Sequence, residues 1–347
     1  MTTDQTFGDI APLNLGLEPE LRAVIDGKAK PPGALGRIED LAVRLALIAG
    51  RPDPRCDRAL LLVFAGDHGL NKVGVSAYPS AVTTAMVATF LAGKASANAF
   101  ARAVGAEVRV VDAGVATSLA PHPALIAAKV RAGTRNAAVE PALTAAEVQA
   151  ALARGAEIAR GAAAEGFEVL LLGEMGIGNT ASAALIAHRL APAPLIDCIG
   201  PGAGHDAEGM ARKFRVLGEA AARSPATEPL EVLAEFGGLE IVMMAGAILG
   251  AAWAGLPVLV DGFICGAAAL AAARLAPQAL DYCIFAHRSA EPGHVAVLEA
   301  LGAQPLLDLS MRLGEGTGGL LALPLLRSAV AMLAEVASLE DVLSGRI

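Results

Sequence analysis

Short apolar runs alternating with longer helical patterns predict an α/β protein with a Rossmann-like, mostly parallel sheet flanked by helices. Three observations carry this expectation. The runs are apolar at successive positions, as strands buried on both faces must be. The stretches between them are long enough to hold a crossover helix. Nearly every run ends in a glycine or polar turn, the place where open parallel sheets bind ligands.

In chain order, helical patterns at 18–26 and 38–48 flank a turn at 28–36. The first strand is expected at 59–65 and the next helix at 79–104, followed by a strand at 107–112. A helix over 144–165 opens with Thr144 and, three residues on, Glu147, the pattern of a reciprocal cap. A strand at 167–172 precedes helices at 179–190, 206–222 and 239–253. Strand 257–260, helix 262–275, strand 281–285 and helix 291–301 follow, the last with Pro292 just inside its start. A short strand at 304–307 and a helix over 317–338 close the chain. The expected organisation is a large α/β domain, 50–316, and a smaller helical lobe gathered from 1–49 and 317–347.

Composition narrows the function classes. With 54% hydrophobic and 18% charged residues, the 347-residue chain has the apolar area to fold and is not a disordered segment. Acidic residues outnumber basic ones, 35 to 27, for a net charge of -8, and aromatics are only 3%, which together argue against a nucleic-acid partner. Cys56, Cys198, Cys265 and Cys283 are too widely spaced for a CxxC pair and read as reduced cytosolic thiols. The first ten residues carry Asp4 and Asp9 and no basic-then-apolar leader pattern. The twenty uncharged residues 241–260 match a membrane span in length, but Gly255 and Pro257 divide them into a helix and a strand, so no membrane partner is expected. The apolar surface of 239–253 favours a homodimer.

The expected chemistry lies in the loops. Gly66-Asp67-His68-Gly69 follows the first strand, and Gly173-Glu174-Met175-Gly176-Ile177-Gly178-Asn179-Thr180 follows the third. Later come Gly200-Pro201-Gly202-Ala203-Gly204, His287-Arg288-Ser289 and Leu313-Gly314-Glu315-Gly316-Thr317-Gly318. Glycine turns ahead of helix N-termini suit a phosphorylated ligand. No Walker A pattern is present. Gly176 to Ala181 matches G-x-G-x-x-A with Asp197 sixteen residues beyond, so a nicotinamide-dependent oxidoreductase using Gly176 and Gly178 is one reading. A non-catalytic azole- or nucleotide-binding protein is another. Glu174 and Glu315, each beside glycines in apolar surroundings, have no helical or strand role and read as functional carboxylates. Asp67-His68 lacks further metal ligands and reads as an orienting pair. Lys213, beside Arg212 and Arg215, is either a solvated basic face or a phosphate clamp. Ser289 lacks a nucleophile context.

These loops, with the run Lys30-Pro31-Pro32-Gly33-Ala34-Leu35-Gly36-Arg37, resemble the nicotinate-nucleotide:dimethylbenzimidazole phosphoribosyltransferase (CobT) family over almost the whole chain. The resemblance implies transfer of 5-phosphoribosyl from nicotinate mononucleotide to 5,6-dimethylbenzimidazole or a related azole, for the lower ligand of cobalamin. It also implies a cytoplasmic homodimer with no cofactor and no catalytic metal. Carried across motif by motif, Glu315 matches the general base, and Glu174 and Gly176 match ribose-phosphate contacts. Lys213, Ser289 and Gly318 match the phosphate side, while Pro79, Ser80, Met175 and Leu313 match the benzimidazole side. A cationic pyridinium needs no acid to leave, so one carboxylate that removes the azole proton suffices.

Overall fold

In the computed structural model, residues 9–202 and 204–346 are described; the leader reading of the first eight residues, Ala203 of the glycine loop and Ile347 lie outside the described residues. Six strands form an all-parallel sheet: β1 (Ala59–Gly66), β2 (Glu107–Gly114), β3 (Leu125–Ala127), β4 (Val169–Met175), β5 (Val258–Val260) and β6 (Cys283–Phe285). Their order, β3-β2-β1-β4-β5-β6, is that of a doubly wound dinucleotide fold, with the switch point between β1 and β4.

The period of two along β1 assigns its side chains to two cores. Leu60, Leu62 and Phe64 face one layer, packed with Leu152 of α5 (Ala145–Ala164) and with α10 (Leu239–Trp253) and α11 (Phe263–Leu275). Leu61, Val63 and Ala65 face the other, with Leu41 and Leu45 of α2 (Arg37–Ala49) and Leu320 and Leu323 of α13 (Thr317–Glu335). The terminal segments clasp each other: the Leu339 N–H donates to Gly27 O at 2.9 Å and the Ala29 N–H to Ala337 O at 2.9 Å.

The remaining α-helices in chain order are α1 (Glu18–Asp26), α3 (Ala81–Leu91), α4 (Ser96–Val104), α6 (Asn179–Leu190), α7 (Leu195–Cys198), α8 (Ala207–Arg223), α9 (Pro229–Phe236), α12 (Gly293–Ala300) and α14 (Leu339–Ser344). Thr144 and Glu147 form the expected reciprocal cap: the Glu147 N–H donates to Thr144 Oγ1 at 3.2 Å and the Thr144 N–H to Glu147 Oε2 at 2.7 Å.

Several expectations change. The helix expected over 79–104 is two helices, because Gly93 turns left-handed at φ 72° and Asn98 Oδ1 accepts the Ala95 N–H to open the second. The last helix ends at Glu335, and a separate one starts after Ser338, whose Oγ accepts the Asp341 N–H. The segment 304–307 forms only a single bridge to His287. Pro292 caps its helix from outside. The short edge strand β3 and helix α9 carry patterns too brief to read from sequence.

The membrane-like stretch 241–260 resolves as buried α10 followed by β5; from Leu239 to Ala252 every residue of α10 is buried. Its apolar surface is covered inside the chain, so it is not the exposed face on which a dimer could rest. The helix Thr317–Glu335 is also long and apolar enough to cross a membrane, but Leu320, Leu323 and Leu326 are fully buried in the core beneath the sheet.

Candidate active site

A cavity of about 660 Å³ opens at the carboxyl ends of the strands beside the switch point, as the topology dictates. Its floor comes from the end of β4, with Glu174 and Met175, from Gly176 just beyond it, and from residues after β5, beginning at Asp261. The loop after β6 contributes His287, Ser289 and Glu291, and the segment leading into α13 contributes Arg312, Leu313 and Glu315. Ser76, Tyr78, Val82 and Met86 form the apolar wall.

Glu174, expected in the loop beyond the strand, instead lies within β4, which runs on to Met175; its side chain is buried, and Asn179 Nδ2 donates a hydrogen bond to Glu174 Oε2. Burial pushes its carboxyl up to about 8, opposed by the Asn179 hydrogen bond and reinforced by the charges of Asp261 and Glu240. Glu315 is also raised, first by burial and then by Asp261, while the Ala97 N–H, donating to Glu315 Oε2 at 3.2 Å, favours its anion. The residue sits at φ 63° between Gly314 at 84° and Gly316 at 82°, three successive left-handed positions. The loop lies hard against β4: a Cβ on Gly173 would stand 2.5 Å from Glu315 O, and one on Gly314 would stand 2.1 Å from Glu174 Oε1. Leu313, expected on the benzimidazole side, is 56% exposed at the cavity mouth and does not bury Glu315. The Gly173 face of β4 packs on the Glu315 backbone, and the start of α4 meets its carboxylate through the Ala97 amide.

The other end of the cavity is polar. The Lys213 side chain is buried behind it, with Nζ donating to Gly200 O at 2.8 Å and to Thr180 Oγ1 at 3.0 Å. Burial lowers its ammonium to about 8, and Glu291 opposes the shift. Lys213 is therefore not on a solvated face; it adjoins Thr180 and Gly202, which line the cavity, without lining it itself. Arg312 Nη1 donates to Gly202 O at 2.8 Å, and Glu291 Oε1 accepts the Gly202 N–H at 3.1 Å.

Of the expected site residues, Glu174, Met175, Gly176, Ser289, Leu313 and Glu315 line the cavity together. Pro79 and Ser80 stand just outside it, with Ser80 Oγ accepting from Asn71 Nδ2 at 3.0 Å, while their neighbours Tyr78 and Val82 form the wall. Gly318 also lies outside the lining; a Cβ there would come within 2.0 Å of His287 Cδ2, so its bareness admits the imidazole. His68 of the Asp67-His68 turn pairs with buried Glu240, Nε2 to Oε1 at 2.5 Å, under Gly176. Burial opposes charge on the imidazole, yet Glu240 holds its pKa above the ordinary value. Asp197, the acid of the dinucleotide reading, is exposed on α7 and outside the cavity, and the glycine turn follows the fourth strand rather than the first.

Sequence reasoning did not single out Asp261, Glu291 or Arg312. Asp261 carried one usable signal, a lone acid closing an apolar strand before a glycine, whereas Glu291 and Arg312 carry none until the topology brings their loops together.

A family model described as a phosphoribosyltransferase, DBI_PRT, matches residues 10–342. The chain is 52% identical over 333 residues to the nicotinate-nucleotide–dimethylbenzimidazole phosphoribosyltransferase of Cupriavidus necator, covering 96% of each. It is 54% identical over 333 residues to the same-named protein of Ralstonia nicotianae, covering 95% of this chain and 94% of that one. The crystal structure of CobT from Thermus thermophilus superposes with a TM-score of 0.91 at 46% identity, covering 94% of this chain and 98% of the other. A fold, a cavity at the switch point and near-complete coverage by such relatives agree, and the chain belongs to the nicotinate-nucleotide–dimethylbenzimidazole phosphoribosyltransferase family.

Proposed function

We propose that this chain transfers the 5-phosphoribosyl group of nicotinate mononucleotide to 5,6-dimethylbenzimidazole or a related azole, with Glu315 as general base. The observation that carries the reading is a buried carboxylate of raised pKa, held between two glycines, in a cavity apolar at one end and polar at the other. An azole ring fits the wall of Val82, Met86, Met175 and Leu313; the phosphoribosyl group fits the end formed by Gly176, Ser289 and the Thr180–Lys213 pair.

One azole nitrogen attacks C1′ while the C1′–N bond to the pyridinium breaks and its electron pair returns to that nitrogen, releasing neutral-ring nicotinate. The attacking azole becomes cationic, and the proton on its second nitrogen passes to the Glu315 carboxylate. Attack opposite the leaving group inverts C1′ and gives the α-ribazole 5′-phosphate. Glu174, with its pKa near 8, is mostly protonated at neutral pH and serves as a hydrogen-bond donor to the ribose rather than as a second base. Glu315 argues against a purely binding protein, because binding alone does not need a base. Lys213 and Ser289 serve the phosphate, with Gly318 shaping that side by admitting His287. Pro79 and Ser80 act by holding the 76–86 wall. The division into a cavity-bearing domain, 50–316, and a lobe of 1–49 and 317–347 belongs to the proposal, supported by the clasp between the termini, as do a cytoplasmic location and a homodimer.

Replacing Glu315 by Gln tests the base. Turnover should fall by about 10²- to 10⁴-fold, the range that base catalysis supplies, while calorimetry shows both substrates still bound. Activity within about tenfold of the parent protein would contradict the assignment.

A further inference from the structure

Asp261 has no part in the chemistry above, yet it is 1% exposed and lines the cavity. It follows β5, and both its carboxylate oxygens are committed to the start of α13. Oδ2 accepts the Gly316 N–H at 3.2 Å and Oδ1 the Gly319 N–H at 3.0 Å, while His287 Nε2 stands 3.5 Å from Oδ1. A helix leaves its first amides without intrahelical partners, and a side chain at the N-cap usually accepts them. The N-cap of α13 is Gly316, which has no side chain. Asp261 therefore caps this helix from a different element.

The capped amides adjoin Glu315, whose left-handed backbone an ordinary residue adopts only where its surroundings hold it. On its N-terminal side, Gly314 is wedged against Glu174; on its C-terminal side, the Asp261 contacts fix Gly316. We propose that Asp261 is the positioning residue of Glu315, pinning the backbone that follows it so that the carboxylate stays aimed into the cavity. The inference rests on the reading of Glu315 as base.

The ionisable groups around this point include Glu174 from β4, Asp261 after β5, Cys265 of α11 and His287 after β6; α4 presents the Ala97 amide, and Glu240 of α10 acts on Glu174. After burial, the Asp261 charge is the second influence that disfavours ionisation of Glu315. Asparagine at 261 keeps one acceptor, turns its amide N–H group toward the other backbone N–H, and removes the anion.

The test is Asp261→Asn, assayed with nicotinate mononucleotide and dimethylbenzimidazole across pH. The expected result is a kcat lower by about 10- to 100-fold, the cost of misplacing a reacting group. KM for both substrates should stay within about threefold. The acid limb of the kcat profile should move to lower pH, because the anion opposing Glu315 ionisation is gone; a merely structural role would raise KM along with any loss of kcat. Should the asparagine protein fail to fold, Asp261→Ser, whose hydroxyl can accept one amide, is read against the same criteria. In the Glu315→Gln background the 261 substitution should cost less than about twofold more, since it acts through Glu315. An unchanged kcat and acid limb, or an undiminished loss in that background, would overturn the proposal. Parent-level activity in Glu315→Gln alone would instead remove the base assignment, so the two failures are distinct.

Discussion

Burial acts on Glu174 and Glu315 in the same direction, and the carboxyl of Glu174 rises to about 8 from an ordinary value of 4.5. A folded-state pKa above the unfolded one means that the native protein holds a proton which the unfolded chain releases between those values. The contribution of Glu174 to stability is then complete below about pH 4.5 and is lost as pH rises through about 8. Glutamine at 174 can accept the Asn179 hydrogen bond but cannot ionise, so the Glu174→Gln protein should lose less Tm than the parent between pH 5 and 8.5. Parallel Tm profiles, read by calorimetry, would show that Glu174 is not held protonated. Glu315 was legible in the sequence because a glutamate between two glycines fits no regular element; Glu174, read the same way, is in fact part of β4, and only the glycine turn that follows the strand marked it. Asp261 and Glu291 were not legible, since one acid at the end of a strand or loop acquires meaning only from what the topology sets opposite it.

At the scale of elements, α5 and α10 pack backbone to backbone, and small residues permit it. A Cβ on Gly155 would stand 1.9 Å from Met243 O, and one on Gly246 2.1 Å from Leu152 O, both backbone atoms that cannot step aside. Gly161, also in α5, has nothing within 4 Å of its added Cβ. The same substitution should therefore act with opposite sign at two positions in one helix. Gly155→Ala should destabilise by about 1–3 kcal/mol or more through overpacking, and Gly161→Ala should stabilise by about 0.5–1 kcal/mol through helix propensity. Urea midpoints decide this, and equal shifts at both sites would contradict the packing described here. The existence and type of the long helices followed from sequence because apolar periodicity persists over several turns, as in α6 and α10, whose bounds match the expectation at both ends. The break at Gly93 was hidden because apolar residues continue across it, and β3 was hidden because three half-exposed residues carry no period.

For the whole molecule, the strand order places the switch point between β1 and β4, and the glycine loops recognised in the sequence converge there without being adjacent in the chain. Resemblance over the full length identified the family, whereas the Gly176 to Ala181 spacing alone left a dinucleotide turn open; the fold tells against that reading by leaving Asp197 outside the cavity. Hydrophobic length also misled at this scale. Helix α10 reads as surplus apolar surface, but two layers of helices and a sheet buried on both faces use all of it except Trp253, which is 49% exposed. The central claim is that this cavity joins a ribose phosphate to an azole with inversion at C1′. The direct measurement is nuclear magnetic resonance of the products formed by the purified protein from nicotinate mononucleotide and 5,6-dimethylbenzimidazole. The account predicts α-linked ribazole 5′-phosphate and nicotinate in equal amounts, with nicotinate release dependent on the azole. A β-linked product, or nicotinate released with free ribose 5-phosphate at a rate indifferent to azole, would contradict it.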